Sequence, residues 1–346
     1  MSLAARQPSI SRRPDPRRRR PELVDPVEDG RWAAFVARAP GASVHHHRAW
    51  LELLRETFGC PVLACCLTDA AGTIQAGAPL ALVPDGRGGR RLVCVPFATA
   101  CGPLPSPQED PVLAHELVLA LDELRRRWGV PMELRGPIAA HPSAHASVSV
   151  RTHHVALAQV DAAAVVSTGD GLCVERRTDA RGLAELYRLR AADCRQLGRP
   201  APRRRWLLGF AHLFDRGLGF VLLARDRSRT VGGALLTTFN GTVAYECGAP
   251  APVHAPSPAH ESLLRAAARW GRDAGMRTFE LGRLEVPGYR LERELGAGEQ
   301  RLDYRELRDD APPGQRERLT WAAPLIRHSP LIVTRALGEA VYPAGA

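Results

Sequence analysis

Residues 258–304 read PAHESLLRAAARWGRDAGMRTFELGRLEVPGYRLERELGAGEQRLDY. Pro258 to Gly271 has the start and apolar spacing of a helix, and Arg272-Asp273-Ala274-Gly275 breaks it. Met276 to Leu281 is a short apolar strand ended by Gly282-Arg283, and Leu302-Asp303-Tyr304 closes the stretch. Helix, strand, glycine and a second glycine-bounded segment make an α/β crossover. Ligands of open α/β sheets gather beyond the carboxyl ends of strands. Arg283 stands at such an end, with a fixed charge suited to a phosphate or carboxylate.

Working outward, the chain has 346 residues, enough for about two domains with separate cores. Its hydrophobic content of 45% and charged content of 24% are those of a globular protein. Aromatic residues make up 5%, too few for a stacking platform for single-stranded nucleic acid. No lysine occurs, which excludes any mechanism that needs a lysine amine. Arg6, Arg12, Arg13 and Arg17 to Arg20, against Asp15 and Glu22, put half of the net charge of +10 into residues 1–22. The expectation is a disordered Arg/Pro-rich tail over residues 1–30. The eight cysteines contain no C-x-x-C and read as buried small hydrophobes in a reducing cytosol, with no metal site. No apolar h-region follows Ser11-Arg12-Arg13, and no apolar run approaches the ~20 residues of a membrane span. A cytoplasmic location is expected.

Before the opening stretch, His45-His46-His47 precede a helix with Trp50, Leu53, Leu54 and Phe58 on one face, and capping is the expected role of the histidines. Val62 to Thr68 and Ile74 to Val83 form a hairpin, Arg91 to Phe97 a third strand, Pro111 to Trp128 a helix, and Met132 to Gly136 a short strand. Arg151 to Val160 reads as another strand. The later chain repeats the plan: helices over Thr178 to Cys194 and Trp206 to Phe214, then strands over Phe220 to Arg225, Val231 to Phe239 and Thr242 to Cys247, with Asn240-Gly241 as the last turn. PVLACCLTDAAGTIQAGAPLALV (61–83) aligns with GFVLLARDRSRTVGGALLTTF (219–239), and LALDELRRRWGVPMELRG (119–136) with LRAAARWGRDAGMRTFELGR (264–283). Two copies of one α/β domain, each with a mixed sheet and a cleft between them, follow from this duplication. The expected division is 31–160 and 171–310, bridged by Val155–Asp170, with a helical tail over 311–346.

The order of short motifs resembles the FemAB-like transferases, which carry two tandem GNAT-type acyltransferase domains. HHHRAWLELLRETFG (45–59), RRLVCVPFATACGPL (90–104), RQLGRPAPRRRW (195–206), FELGR (279–283) and LGAGEQRLDY (295–304) carry the resemblance, which covers most of residues 44–337. It implies amide formation, with acyl-CoA or aminoacyl-tRNA as co-substrate and a cell-envelope precursor or small metabolite as amine acceptor. Tyr304 belongs to the closing motif. Three positions depart from the family. Leu291-Glu292 stands where members carry Phe-Lys, Glu280 replaces the aspartate before Gly-Arg, and the glycine-rich CoA pyrophosphate loop is missing around Cys247-Gly248-Ala249-Pro250.

Acyl transfer to an amine needs a base, oxyanion donors and a holder for the donor's phosphates. Glu246, at a strand end, and His260, at a helix start, are the candidate catalytic residues. Arg283, Glu261 and Tyr304 are the candidate substrate contacts. Two further readings stand beside this one: a catalytically inactive GNAT-fold binding module, suggested by Glu292, and an RNA-binding protein led by the arginine tail.

Overall fold

The computed structural model describes residues 19–85, 88–161, 171–250, 257–282, 294–309 and 323–341. The first half contains β1 (Arg20–Val24), α1 (Gly30–Arg38), α2 (Arg48–Phe58), β2 (Val62–Thr68), β3 (Ile74–Pro84), β4 (Arg90–Val93), α3 (Pro111–Trp128), β5 (Met132–Leu134) and β6 (Ala144–Ala156). The second half contains β7 (Leu172–Arg177), α4 (Ala180–Leu197), α5 (Arg204–Gly209), α6 (Ala211–Phe214), β8 (Gly219–Asp226), β9 (Arg229–Phe239), β10 (Thr242–Ala249), α7 (Pro258–Asp273), β11 (Thr278–Gly282) and β12 (Gly298–Leu307). Helices α8 (Ala323–His328) and α9 (Leu331–Val341) follow.

The element order of one half is that of the other, as the sequence repeat requires. The sheets, however, are not separate. Among the described residues the strands form one sheet in the order β1-β2-β3-β4-β5-β12-β6-β11-β10-β9-β8-β7. β4 runs parallel to β5 and β10 parallel to β11, while the other neighbours are antiparallel. The last strand of each half is exchanged. β12 lies between β5 and β6, and β6 lies between β12 and β11. Thus β6, expected within a first domain ending at residue 160, completes the sheet of the second.

Strands β2, β3, β8 and β9 are covered on both faces and apolar on both sides, whereas the exchanged strands β6 and β12 are largely exposed or half-buried. Phe220, Leu222, Ala234, Leu236, Val243, Phe279 and Leu281 pack with Leu263, Leu264 and Ala267 of α7. Val221, Leu223 and Leu235 point the other way, into a core shared with Leu183, Leu186 and Tyr187 of α4. In the first half Trp32 is fully buried and lies so close to β3 that a Cβ on Gly77 would stand 2.7 Å from its ring. Its indole N–H donates to the His46 carbonyl at 2.9 Å. Between the halves, Trp50 of α2 meets Trp206 and Phe210 edge to face, with ring centroids 5.5 and 5.4 Å apart.

Two expectations need correction. The tail was expected to be disordered through residue 30, yet Arg20–Val24 is an edge strand on β2, with Leu23 opposite Cys65 and Val24 opposite Ala64. Val24 is buried, and Arg19 and Glu22 find partners in Glu116 and Arg31. The third strand was expected to reach Phe97 but ends at Val93, because Val95 and Phe97 adopt positive φ (52° and 67°). The chain there wraps the buried Arg135 guanidinium, which donates to Val95 O and Ala98 O and, through Nε, to Glu133 Oε1 at 2.7 Å. Arg91 takes the other Glu133 oxygen at 2.8 Å.

These buried charges are each other's solvation. Removing one leaves the rest uncompensated in a low dielectric, which is why breaking such a network costs more than the network is worth. Arg135→Ala is expected to lower stability by about 3–5 kcal/mol, read from urea denaturation. A change below about 1 kcal/mol, the range of an exposed pair, would show that the network is not what holds this loop.

Candidate functional site

The parallel pairing of β10 with β11 matches Thr242 to Thr278, Val243 to Phe279 and Ala244 to Glu280, and stops there. Among the described residues, β10 runs on through Ala249 along β9 alone. Gly282 turns β11 away with φ 67°, and a Cβ there would lie 3.1 Å from the Tyr245 carbonyl. Among the described residues the ladder between the two strands therefore ends at Ala244 and Glu280, at the carboxyl ends of a parallel pair, where α/β sheets place their ligands.

Polar side chains gather on one face of this strand end. β10 bulges between Tyr245, opposite Leu236, and Cys247, opposite Leu235, so Glu246 is the inserted residue. A bulge re-aims the side chain it carries. Here it brings Glu246 onto the face of Thr237, whose hydroxyl donates to Glu246 Oε1 at 2.6 Å. His45 of the first half reaches across to Glu246, its Nε2 3.4 Å from both carboxylate oxygens. Both side chains are nearly covered, 6% exposed for His45 and 11% for Glu246. The Trp50 ring stands edge-on against His45 at 4.4 Å, and Ser43 Oγ lies 3.4 Å from His45 Nδ1. Behind the bulge, Arg190 of α4 donates to the Gly248 carbonyl at 2.9 Å.

Glu280 faces the same side, since Phe279 and Leu281 on either side of it point into the α7 core. Burial pushes its carboxyl above the usual carboxylate range, with His45 acting against this and Glu246 adding to it. Among the described residues no cationic side chain pairs with Glu280.

The other candidates are distributed differently. His260, on α7, is 1% exposed and packs edge-on against Tyr245 at 5.7 Å, on the far face of the sheet from Glu246. Burial pushes it down to about 4, so at neutral pH it is an uncharged imidazole. The structure thus does not bring Glu246 and His260 together. Glu261, next in the same turn of α7, donates its backbone N–H to Ser257 O at 3.1 Å, and its charge complements the helix N-terminus. Tyr304 lies on β12, its hydroxyl donating to Thr99 O at 2.7 Å and its ring 5.3 Å beneath Arg135. It belongs to the exchanged-strand seam of the first half. Arg283 and Glu292 lie outside the described residues.

His45 and Thr237 are the site residues that sequence reading passed over. The histidine run does cap, as expected: His47 Nδ1 accepts from Ala49 N, and His46 Nδ1 from Ser43 N, both at 3.1 Å. His46 is fully buried and pushed down to about 4 by desolvation, so the proton on its Nε2 serves Gly102 O at 2.9 Å. Only the first of the three leaves the cap. Among the described residues no group of three or more His, Cys, Asp or Glu side chains could hold a metal, and no helix is long and apolar enough to cross a membrane.

Two outcomes follow from these placements. Tyr304→Phe deletes one hydrogen bond and is expected to cost about 0.5–1.5 kcal/mol of stability while substrate affinity holds, measured by denaturation and by binding side by side. Glu280 has a raised folded-state pKa, so wild-type stability falls as pH rises from the usual carboxylate range through that value. Glu280→Gln removes the ionisation. Its melting temperature should therefore exceed the wild type's at neutral pH, and the gap should shrink as pH falls below the usual carboxylate range. A gap independent of pH would contradict the burial argument.

At the sequence level no protein-family model and no curated protein matches the chain. Solved structures do. FemX superposes with a TM-score of 0.55 at 12% identity, over 82% of this chain and 96% of FemX. The C-terminal domain, DUF2156, of an Agrobacterium fabrum protein named as a lysylphosphatidylglycerol synthetase gives 0.53 at 15% identity, over 91% of this chain and 96% of that one. At these identities the likeness is one of fold. With the repeated element order, it gives this chain the fold shared by FemX and that DUF2156 domain.

Proposed function

We propose that the chain is an acyltransferase that forms an amide by moving an acyl or aminoacyl group onto an amine, with Glu246 as the base. The observation that carries this is Glu246 itself. A bulge presents it at the parting of two parallel strands, with Thr237 on one of its oxygens and His45 from the other half against it. A carboxylate so fixed can accept a proton without first reorganising its surroundings. In the reaction the amine nitrogen attacks the acyl carbon. A C–N bond forms, the C–O bond of an aminoacyl ester or the C–S bond of a thioester breaks, and the nitrogen's proton passes to Glu246. The leaving alkoxide or thiolate takes up a proton in turn. Beyond Ala244, backbone N–H groups of β10 that face away from β9 have, among the described residues, no strand on that side and suit a developing oxyanion.

Among donors, aminoacyl-tRNA is the reading preferred here. The backbone cradle that CoA pyrophosphate needs is missing from the sequence after β10, and one structural neighbour is named for a lysyl transfer to a lipid. The same name, with FemX, favours a cell-envelope acceptor. Arg283, one residue beyond Gly282, is proposed to hold a donor phosphate.

The test is a transfer assay with radiolabelled aminoacyl-tRNA and acyl-CoA donors against a panel of amine acceptors. Glu246→Gln keeps the hydrogen bond from Thr237 but cannot take the proton, and turnover should fall about 10²–10⁴-fold with the fold intact by circular dichroism. No transfer from either donor class, or undiminished turnover in Glu246→Gln, would leave the binding-module reading in its place.

A further inference from the structure

Ser43 stands two residues before His45, and its hydroxyl oxygen lies 3.4 Å from His45 Nδ1. On the other side of the ring, Nε2 lies 3.4 Å from both oxygens of Glu246. One imidazole thus joins a serine hydroxyl to a carboxylate, the constellation that makes a serine nucleophilic. Contacts of this kind are often long before a substrate binds.

The order of the three groups fixes the proton. A carboxylate only accepts, so the nitrogen facing Glu246 carries the hydrogen, and Nδ1 keeps its lone pair towards Ser43. His46 competes for the same hydroxyl, with its Nδ1 3.1 Å from Ser43 Oγ. The His46 lone pair, however, already takes the Ser43 backbone N–H at 3.1 Å. Among the described residues Ser43 Oγ is the one group within hydrogen-bond distance of His45 Nδ1. The imidazole is buried, with the Trp50 ring edge-on against it at 4.4 Å, whereas Ser43 is half-buried and keeps part of its surface in solvent. The segment that leads to Ser43 is tied to the second half. Asn240, in the turn between β9 and β10, donates its side-chain amide to Pro40 O at 2.9 Å. The serine of one half and the glutamate of the other are therefore held in one frame.

We propose that Ser43, His45 and Glu246 form a nucleophilic triad, and that Ser43 carries the acyl group between donor and acceptor as an ester. The choice of donor and acceptor rests on the transferase reading; the triad stands on its own geometry. In the first step Ser43 Oγ attacks the acyl carbon of an activated ester or thioester. The Oγ–C bond forms and the donor's C–O or C–S bond breaks. The hydroxyl proton passes to His45 Nδ1 and from there to the leaving alkoxide or thiolate, while Glu246 holds the imidazole. In the second step the amine attacks the serine ester. The C–N bond forms, the C–Oγ bond breaks, and the nitrogen's proton goes to Glu246, which returns it to water as Ser43 Oγ takes one up. Water in place of the amine gives hydrolysis.

The experiment treats the full chain with diisopropyl fluorophosphate, whose phosphorus an activated serine attacks with loss of fluoride. Intact mass and peptide mapping should find one diisopropylphosphoryl group, on Ser43. p-Nitrophenyl acetate should release a burst of one p-nitrophenolate per chain. Ser43→Ala should lose both responses. His45→Gln should slow labelling about 10²–10⁴-fold, the usual contribution of a general base, with the circular dichroism spectrum unchanged. No adduct on the wild type, an adduct on another serine, or undiminished labelling in His45→Gln would overturn the proposal. Mapping of the wild type needs no variant, so a variant that misfolds does not remove the test. The two readings also fail separately. Ser43 labelling in a protein that acylates no amine would sink the transferase and keep the triad. Amide transfer that persists in Ser43→Ala would do the reverse.

Discussion

The exchange of β6 and β12 is the constraint on which the rest of this molecule depends. Each half's own last strand is separated from that half's fifth strand by the last strand of the other. Neither sheet can therefore be completed alone, and the halves cannot drift as two domains on a linker would. The long β6–β12 ladder fixes one half against the other, and the Trp50, Trp206 and Phe210 rings close the contact on the site's side of the sheet. Aromatic pairs of this kind contribute about 0.5–1.5 kcal/mol each beyond their burial. Because that seam is rigid, a histidine from the first half can be held at 3.4 Å from a glutamate of the second.

Each half has a parallel strand pair, and the two ladders end differently. The first became a buried lock, in which Arg135 joins Glu133, the Val95–Ala98 turn and the face of Tyr304. Because Tyr304 is on β12, the lock also ties the exchanged strand to the half it completes. In the second half, the bulged Glu246 follows the last rung of the parallel ladder instead.

Much of this architecture was legible in the sequence because burial patterns are local. Val62–Thr68 and Pro111–Trp128 run to the residues where their apolar patterns and flanking turns end. The repeat of 61–83 in 219–239 announced two copies of one plan. What escaped is non-local. Strand exchange depends on which edge β6 and β12 find, and alternation within a strand says nothing about its partner. The edge strand Arg20–Val24 hid behind a run of arginines, of which Arg19 meets Glu116 far along the chain. Glu246 was recognisable at its strand end. That it lies on the opposite face from His260 follows from a single inserted residue, and periodicity does not register such an insertion.

The same reasoning explains why His45 was misread while its neighbours were not. Capping is a property of a helix start and its own backbone, so His46 and His47 follow from the residues around them. His45 is turned instead towards the seam between the halves, against the Trp50 ring, and its partner lies 201 positions away. Its contact with Glu246 exists only once both halves are folded and their strands exchanged. The candidate base is consequently assembled from three separate segments: the 3-10 turn at Val44–His46, Thr237 of β9 and the bulge of β10. An isolated second half would keep Thr237 and the bulge but lack His45, and its β11 would have no β6 to pair with. The arrangement around Glu246 therefore needs both halves, because the first supplies the histidine that stands against the glutamate of the second.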